Sequence, residues 1–421
     1  MKKLVIKNFL AIDFAEIEFA QFTIIIGPQA SGKSLMCKLN FFFWDLLISD
    51  QQRFIYERSS LEKFEDFIKA KFMEWFPVSA WGDKVFEIRF YCAKFEIGLT
   101  GTGAKEKSAG NMEVTFSDAF ENFYNNAFDE AVKIFEKHRD DIGNLESYWT
   151  VRSLIDQSRR DILQKNNVNS QLFVPAGRSF FTSMVKAISI YEQSHTADPL
   201  IVRFGRAFAS LSDESSFQFS DGDDFMTEYI EPTMIEMLGG KLISEHDHLY
   251  FETKDGRNIP LSALSSGQQE LLPLMTVLRF YTRRSVHRSL IYIEEPETHL
   301  FPKSQNELME FLISLTNRPN GLVDMIITTH SPYILSKVNN LLKAGTVASS
   351  LPVKEHAKVN AIIDQRAWLN NNQLAAYAII DRKLTPIIDA DGLIDAEYLD
   401  EISGDIADEF FSLLEIEATN G

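Results

Sequence analysis

The sequence predicts an α/β fold: a mixed sheet flanked by helices, with a helical insertion and a short acidic C-terminal helical extension. Three observations predict it. The run Phe22-Thr23-Ile24-Ile25-Ile26 has no polar face, as a strand covered on both sides requires, and it passes through a glycine-rich loop into helical sequence. Two more apolar runs, Leu290-Ile291-Tyr292-Ile293 and Met325-Ile326-Ile327-Thr328, also end in polar residues. The segments Lys3 to Phe9 and Ala15 to Phe19 alternate as half-buried strands do.

From the N-terminus, those two strands and the Phe22 run lead through Gly27 into a helix beginning at Ser34. Helix-compatible sequence continues from Ser60 to Trp75, and Val85 to Tyr91 with Lys94 to Gly98 reads as a hairpin. Thr100 to Gly110 is a Gly/Lys/Ser-rich loop. Apolar residues at helical spacing (Phe120, Phe123, Phe128, Val132, Phe135) make the stretch from Phe116 to Ser170 helical. A short strand at Leu172 to Val174 follows, then helical sequence to Met237, interrupted by a polar link at Ser210 to Asp224. Leu249 to Glu252 and the turn Lys254-Asp255-Gly256-Arg257 suggest a second hairpin.

The composition of these 421 residues, 45% apolar and 24% charged, is that of a folded globular protein. Thirty-four phenylalanines predict aromatic-rich cores. No run is long and apolar enough to span a membrane, and no secretory signal opens the chain. Two distant cysteines, Cys37 and Cys92, exclude a disulfide framework and fit a reducing cytoplasm. The net charge of −18 argues against a dedicated polyanion binder, yet eleven acids and no Lys or Arg fall between Leu384 and Gly421, which leaves the first 383 residues at only −7. A local basic groove remains compatible with that balance.

Four motifs carry chemistry. Gly27-Pro28-Gln29-Ala30-Ser31-Gly32-Lys33-Ser34 fits G-x-x-x-x-G-K-[ST], a loop whose N–H groups cradle phosphates while Lys33 reaches the β- and γ-phosphates and Ser34 ligates Mg²⁺. The Leu290 strand delivers Glu294 and Glu295, which we assign to the metal and to the general base; a solvated acidic loop is the plainer reading. Ser265-Ser266-Gly267-Gln268 opens a helix, as an anion site or as a cap. His330, at the end of the Met325 strand, is placed to touch a γ-phosphate or to serve structure.

Gly267 precedes Glu294 by 27 residues and His330 follows it by 36. In that order the four motifs resemble the Walker A, signature, Walker B and switch-histidine set of ABC-type P-loop ATPases. The resemblance implies ATP and Mg²⁺ as cofactors. It also implies that Ser265, Ser266, Gly267 and Gln268 face a nucleotide held by a second copy, hence a homodimer or higher homo-oligomer with ATP at the interface. The 261 residues between Lys33 and Glu294 are too many for exporter-type domains, and the insertion is too short for an SMC coiled coil. The chain resembles the OLD-like branch of the OLD, RecF and SMC group, as found in bacterial anti-phage systems with PtuA of Septu and AriA of PARIS. The matching pieces, Val174 to Ser179, Leu264 to Glu270, Glu294 to Leu300 and Thr328 to Pro332, lie within roughly residues 1–340. Two departures stand out: Glu294 replaces the more usual Asp, and the Q-loop glutamine has only Gln51 and Gln52 as candidates.

The resemblance implies an ATPase that acts as sensor and scaffold and controls a separate effector, a nuclease or toxin, on a DNA or phage-protein trigger; slow turnover is expected of such a switch. A RecF-like DNA repair or replication clamp is the alternative, and an assembly protein with ATP as a fixed cofactor is a third reading. Asp389-Ala390-Asp391 matches a Toprim D-x-D pair superficially, but no acidic partner precedes it on an apolar strand, so no intrinsic nuclease is expected. The basic cluster Arg279, Arg283, Arg284, His287 and Arg288 reads as phosphate contacts or as a solvated helix end. Arg178 reads as a phosphate or partner contact or as a buried ion pair. The expected organisation is a first ATPase part at 1–110, a mainly helical insertion at 111–240, a second ATPase part at 241–345 and an acidic extension at 346–421.

Overall fold

The computed structural model describes residues 2–103, 112–137, 145–184, 198–211, 225–245, 248–283, 288–318 and 322–395. The chain opens with strands β1 (Lys2–Phe9), β2 (Ile12–Glu18) and β3 (Phe22–Ile26) and helix α1 (Lys33–Asp45), which runs through a π-turn into α2 (Gln51–Tyr56). Helix α3 (Leu61–Trp75) precedes the antiparallel strands β4 (Val85–Cys92), β5 (Phe95–Thr102) and β6 (Met112–Phe116). Helices α4 (Asp118–Lys137) and α5 (Leu145–Leu163) lead to β7 (Ser170–Val174), α6 (Ser179–Met184), α7 (Pro199–Leu211) and α8 (Glu231–Leu238). A small antiparallel sheet follows, β8 (Gly240–Glu245), β9 (His248–Thr253) and β10 (Asn258–Pro260). Then come α9 (Ser266–Arg283), β11 (Ser289–Glu294), α10 (Pro302–Thr316), β12 (Val323–Thr329), α11 (Pro332–Ser350), β13 (Leu374–Ile380) and β14 (Lys383–Pro386).

Eleven strands form one mixed sheet in the order β6-β5-β4-β1-β2-β14-β13-β3-β12-β11-β7. The half from β13 to β7 is parallel, and the pairs among β1, β2, β4, β5 and β6 are antiparallel. Every residue of β3, β11 and β12 is buried, because helices cover both faces there. β1 alternates between buried and more open positions, as its sequence predicts.

The two faces carry different cores. One is built on phenylalanines: Phe9, Phe42, Phe72, Phe76 and Phe86 meet with centroids 4.8 to 6.3 Å apart, and Phe43 stacks on Phe90 at 5.1 Å. The other is aliphatic, with α9, α10 and α11 packed on Ile24, Ile291 and Ile327. Cys37 and Cys92 are free and buried, both within the aromatic core. Among the described residues, no helix is long and apolar enough to cross a membrane.

The structure corrects the C-terminal expectation. Residues of the segment read as a helical extension form β13 and β14, and β13 lies beside the loop-bearing β3 in the middle of the sheet. α11 also runs past residue 345 without a break. The helix expected at Glu397 to Ile416 and most of the link at Ser210 to Asp224 lie outside the described residues. β6, β8 and β14 are further strands that the sequence pattern does not single out.

Candidate active site

Parallel pairing puts the chemistry on one edge. Ile26 aligns with Thr329, and Thr328 with Glu294, so the carboxyl ends of β3, β12 and β11 finish together. The loop after β3 is tight. Gly32 sits at φ 105°, left-handed backbone that glycine tolerates, and a side chain there would come within 2.9 Å of Ile12. Pro28, Gln29 and Ala30 form the exposed crest, with Ala30 also left-handed at φ 60°.

Lys33 is buried and its ammonium donates to the carbonyls of Gly27 (2.7 Å) and Pro28 (2.8 Å). Burial lowers its pKa, while Glu295, Glu297 and Glu294 pull it back up. The loop is therefore one cation facing three carboxyl groups. Ser31 Oγ, in the same loop, is buried and finds no hydrogen-bond partner among the described residues.

Glu294 is 8% exposed. Its Oε2 accepts from the Ala176 N–H at 3.4 Å, and Oε1 is a buried orphan among the described residues. Burial raises its carboxyl pKa, and the Ser34 hydroxyl, Lys38 and the Ala176 amide oppose that rise. A buried acid with a free oxygen beside a loop hydroxyl fits a hard cation. Mg²⁺ takes one or two carboxylates and leaves other positions to substrate phosphates, so Ser34 and Glu294 are a sufficient protein contribution.

A stability test follows from that burial. The raised pKa means that Glu294 stabilises the fold below the ordinary carboxyl value of 4.5, and that this contribution is lost as pH rises through the folded value. Without metal or nucleotide, Glu294→Gln should therefore melt at a higher temperature than the parent at pH 7.5. The gap should close as the pH falls towards 4.5. A variant less stable at pH 7.5 would mean that the carboxylate already has a compensating partner.

Glu295 takes a left-handed φ of 42°, unusual for a side-chain-bearing residue. Its N–H donates to the Thr328 carbonyl (2.9 Å), and its carbonyl accepts from the Thr298 hydroxyl (2.9 Å) and N–H (3.2 Å). Its carboxylate lies 3.6 Å from His330 Nδ1, both partly exposed. Glu297, which the sequence pattern leaves without a role, holds that histidine: Oε1 accepts from the His330 N–H (2.9 Å) and the Thr329 hydroxyl (2.7 Å). Its place two residues beyond Glu295 was the only available signal.

Ser265 and Gln268 close a reciprocal cap on α9. The Gln268 side-chain oxygen accepts from Ser265 N–H (3.1 Å) and Oγ (2.9 Å), and Ser265 Oγ accepts the Gln268 N–H (3.4 Å). Gly267 is needed by its neighbour, since a side chain there would sit 3.3 Å from the His299 carbonyl. Among the described residues, no hydrogen bond joins Ser265, Ser266, Gly267 or Gln268 to the Gly27–Ser34 loop of the same chain.

Arg178 is a buried ion pair with Glu270 at 3.3 Å, which decides between the readings its sequence left open. Gln51 and Gln52 lie in α2, and Gln51 Nε2 donates to the Leu47 carbonyl at 2.8 Å, so Gln51 serves the helix. In the basic cluster, Arg279 pairs with Glu231 and Arg288 with Asp324, while Arg284 and His287 lie outside the described residues. Asp389 Oδ1 accepts the N–H groups of Asp391 and Leu393, both at 2.9 Å, closing a turn.

A family model described as an AAA ATPase domain matches residues 105–335, which include α9, the acid pair and His330. Among solved structures, the SMC head bound to the C-winged helix domain of ScpA is 13% identical, with a TM-score of 0.40 over 91% of this chain and 96% of that one. The SMC head domain from Thermotoga maritima is 13% identical, at 0.37 over 92% and 98%. An SMC head domain with an extended coiled coil, bound to the C-terminal domain of ScpA derived from Pyrococcus furiosus, is 12% identical, at 0.36 over 96% and 98%. These likenesses are loose.

Proposed function

We propose that this chain, which belongs to the AAA ATPase domain family, is a slowly hydrolysing ATP switch serving as sensor and scaffold in anti-phage defence. The observation that supports this most is the convergence of Lys33, Ser34, Glu294, Glu295 and His330 at the carboxyl ends of neighbouring strands, with the signature turn closed by its own cap on α9. Lys33 and the loop amides bind the β- and γ-phosphates. Mg²⁺, held by Ser34 and Glu294, neutralises phosphate charge when bound. Glu295 takes a proton from the water that attacks the γ-phosphorus, the bond to the β-phosphate oxygen breaks, and ADP and inorganic phosphate leave. His330, braced by Glu297, keeps its ring beside Glu295.

The signature turn does not serve its own loop in this reading. Ser265, Ser266 and Gly267 engage the nucleotide of a second copy, so ATP closes a homodimer or higher homo-oligomer. Closure then retains or releases a separate cytoplasmic effector, a nuclease or toxin, on a DNA or phage-protein trigger. A switch gains nothing from flux, hence slow turnover. The supports for the defence role are the Val174-Pro175-Ala176-Gly177-Arg178-Ser179 and Glu294-Glu295-Pro296-Glu297-Thr298-His299-Leu300 segments and their order.

Light scattering of the full chain, with and without ATP-Mg²⁺, tests the switch. The expected result is an ATP-dependent rise in mass. A large mass unmoved by ATP points instead to a permanent assembly with nucleotide as a fixed part. ATP-dependent, salt-sensitive retention of duplex DNA would move the reading to a RecF-like clamp.

A further inference from the structure

Arg178 has no exposed surface and spends its donors on the catalytic edge. Nη1 donates to the Glu294 carbonyl (2.8 Å) and the Pro175 carbonyl (3.2 Å), Nη2 to the Glu295 carbonyl (3.3 Å), and Nε to the Glu270 carbonyl (3.3 Å). Glu270, equally buried, accepts the N–H groups of Arg178 (2.9 Å) and Ser179 (3.1 Å). It stands one helical turn after Ser266 and three residues after Gly267. One planar group therefore bridges the first turn of the signature helix and the carbonyls of both site acids.

We propose that Arg178 and Glu270 are positioning residues that couple the signature turn to Glu295, so that filling one nucleotide site of the pair sets the base of the other. This rests on the paired-site reading above. A buried ion pair is a poor way to gain stability, because desolvating both charges costs about as much as their attraction returns. What it supplies is fixed geometry: a guanidinium is planar and its donors move as a unit. Any shift of α9 on engaging the partner's nucleotide is thus passed to the carbonyls of Glu294 and Glu295. The receiving end is poised. Glu295 is held in left-handed backbone by Arg178 and Thr298 on its carbonyl and Thr328 on its N–H, and a strained residue fixed from several sides is where a small displacement alters a side chain's aim.

The test is steady-state hydrolysis against ATP concentration in the full chain, for the parent, Glu270→Gln and Arg178→Lys, with fluorescent-ATP binding and a thermal melt of each. Glu270→Gln keeps the shape and one acceptor oxygen, so it guards against a variant that fails to fold. The parent is expected to show a Hill coefficient above 1, with about 2 as the ceiling for two sites. Both variants should bind nucleotide within about threefold of the parent, lose about 10- to 100-fold in kcat, and give a Hill coefficient near 1. A third variant, Arg178→Met, should retain less kcat than Arg178→Lys, which keeps the charge. A merely structural pair would lower the melting temperature and leave the kcat and Hill coefficient of the folded protein unchanged, which overturns the relay and leaves the site assignment standing. A parent that hydrolyses ATP without cooperativity also overturns the relay. A parent that neither binds nor hydrolyses ATP overturns both.

Discussion

Glu295→Gln is expected to cut ATP turnover by about 10²- to 10³-fold, the contribution typical of a positioned general base, while ATP still binds. The substitution replaces one oxygen by an amide and leaves the backbone anchors of Glu295 untouched, since Arg178, Thr298 and Thr328 hold its main chain. It also removes one negative charge from a site that holds three carboxyl groups, so affinity for an anionic nucleotide should stay level or rise. The pair closed by ATP then cannot reopen, and scattering should find it stable over the time in which the parent returns to its starting mass. Single-turnover phosphate release is the direct measurement. Turnover within threefold of the parent would remove Glu295 from the mechanism. Glu297 would be the next candidate, because Thr329 and the His330 N–H occupy one of its oxygens and leave the other without a partner among the described residues.

The parts of the fold legible in the sequence are those where burial writes itself into local pattern. β3, β11 and β12 are covered on both faces, so each is dominated by apolar residues, and each ends beside the residues that do the chemistry. The cap at Ser265 and Gln268 was equally local, a side-chain pair three residues apart. β13 was not legible in that way. Its Leu374-Ala375-Ala376-Tyr377-Ala378 start is alanine-rich, and alanine favours helix over strand. Its neighbour β3 lies some 350 residues away, and the acids that dominate the C-terminal composition obscured it. β13 nevertheless comes close to the phosphate loop, since a side chain at Gly27 would lie 3.2 Å from Ile379 Cβ. Arg178 posed the same kind of problem. The motif marks the residue, but the choice between ligand contact and ion pair depends on Glu270, which only folding brings to it.

Lys33→Ala should abolish nucleotide binding while sparing the fold. Two opposing terms decide this. The ammonium bonds two loop carbonyls, at 2.7 and 2.8 Å, and their loss costs some order in the loop. Alanine, however, is the best helix former and stands at the first position of α1, and burial already makes the charged lysine expensive, as its lowered pKa records. The net change in stability without nucleotide should stay within about 1 kcal/mol. Binding is another matter. Charge-assisted hydrogen bonds are worth about 1.5–3 kcal/mol each, so losing two to phosphate oxygens weakens ATP by about 10²-fold or more. Glu294, Glu295 and Glu297 then face the triphosphate without the cation that they held charged. Thermal melts separate the two effects. ATP-Mg²⁺ should raise the parent's melting temperature by mass action and leave that of Lys33→Ala where it was. Equal stabilisation of both proteins by ATP would mean that the Gly27–Ser34 loop does not hold the phosphates, and the acid pair on β11 would then need a different substrate.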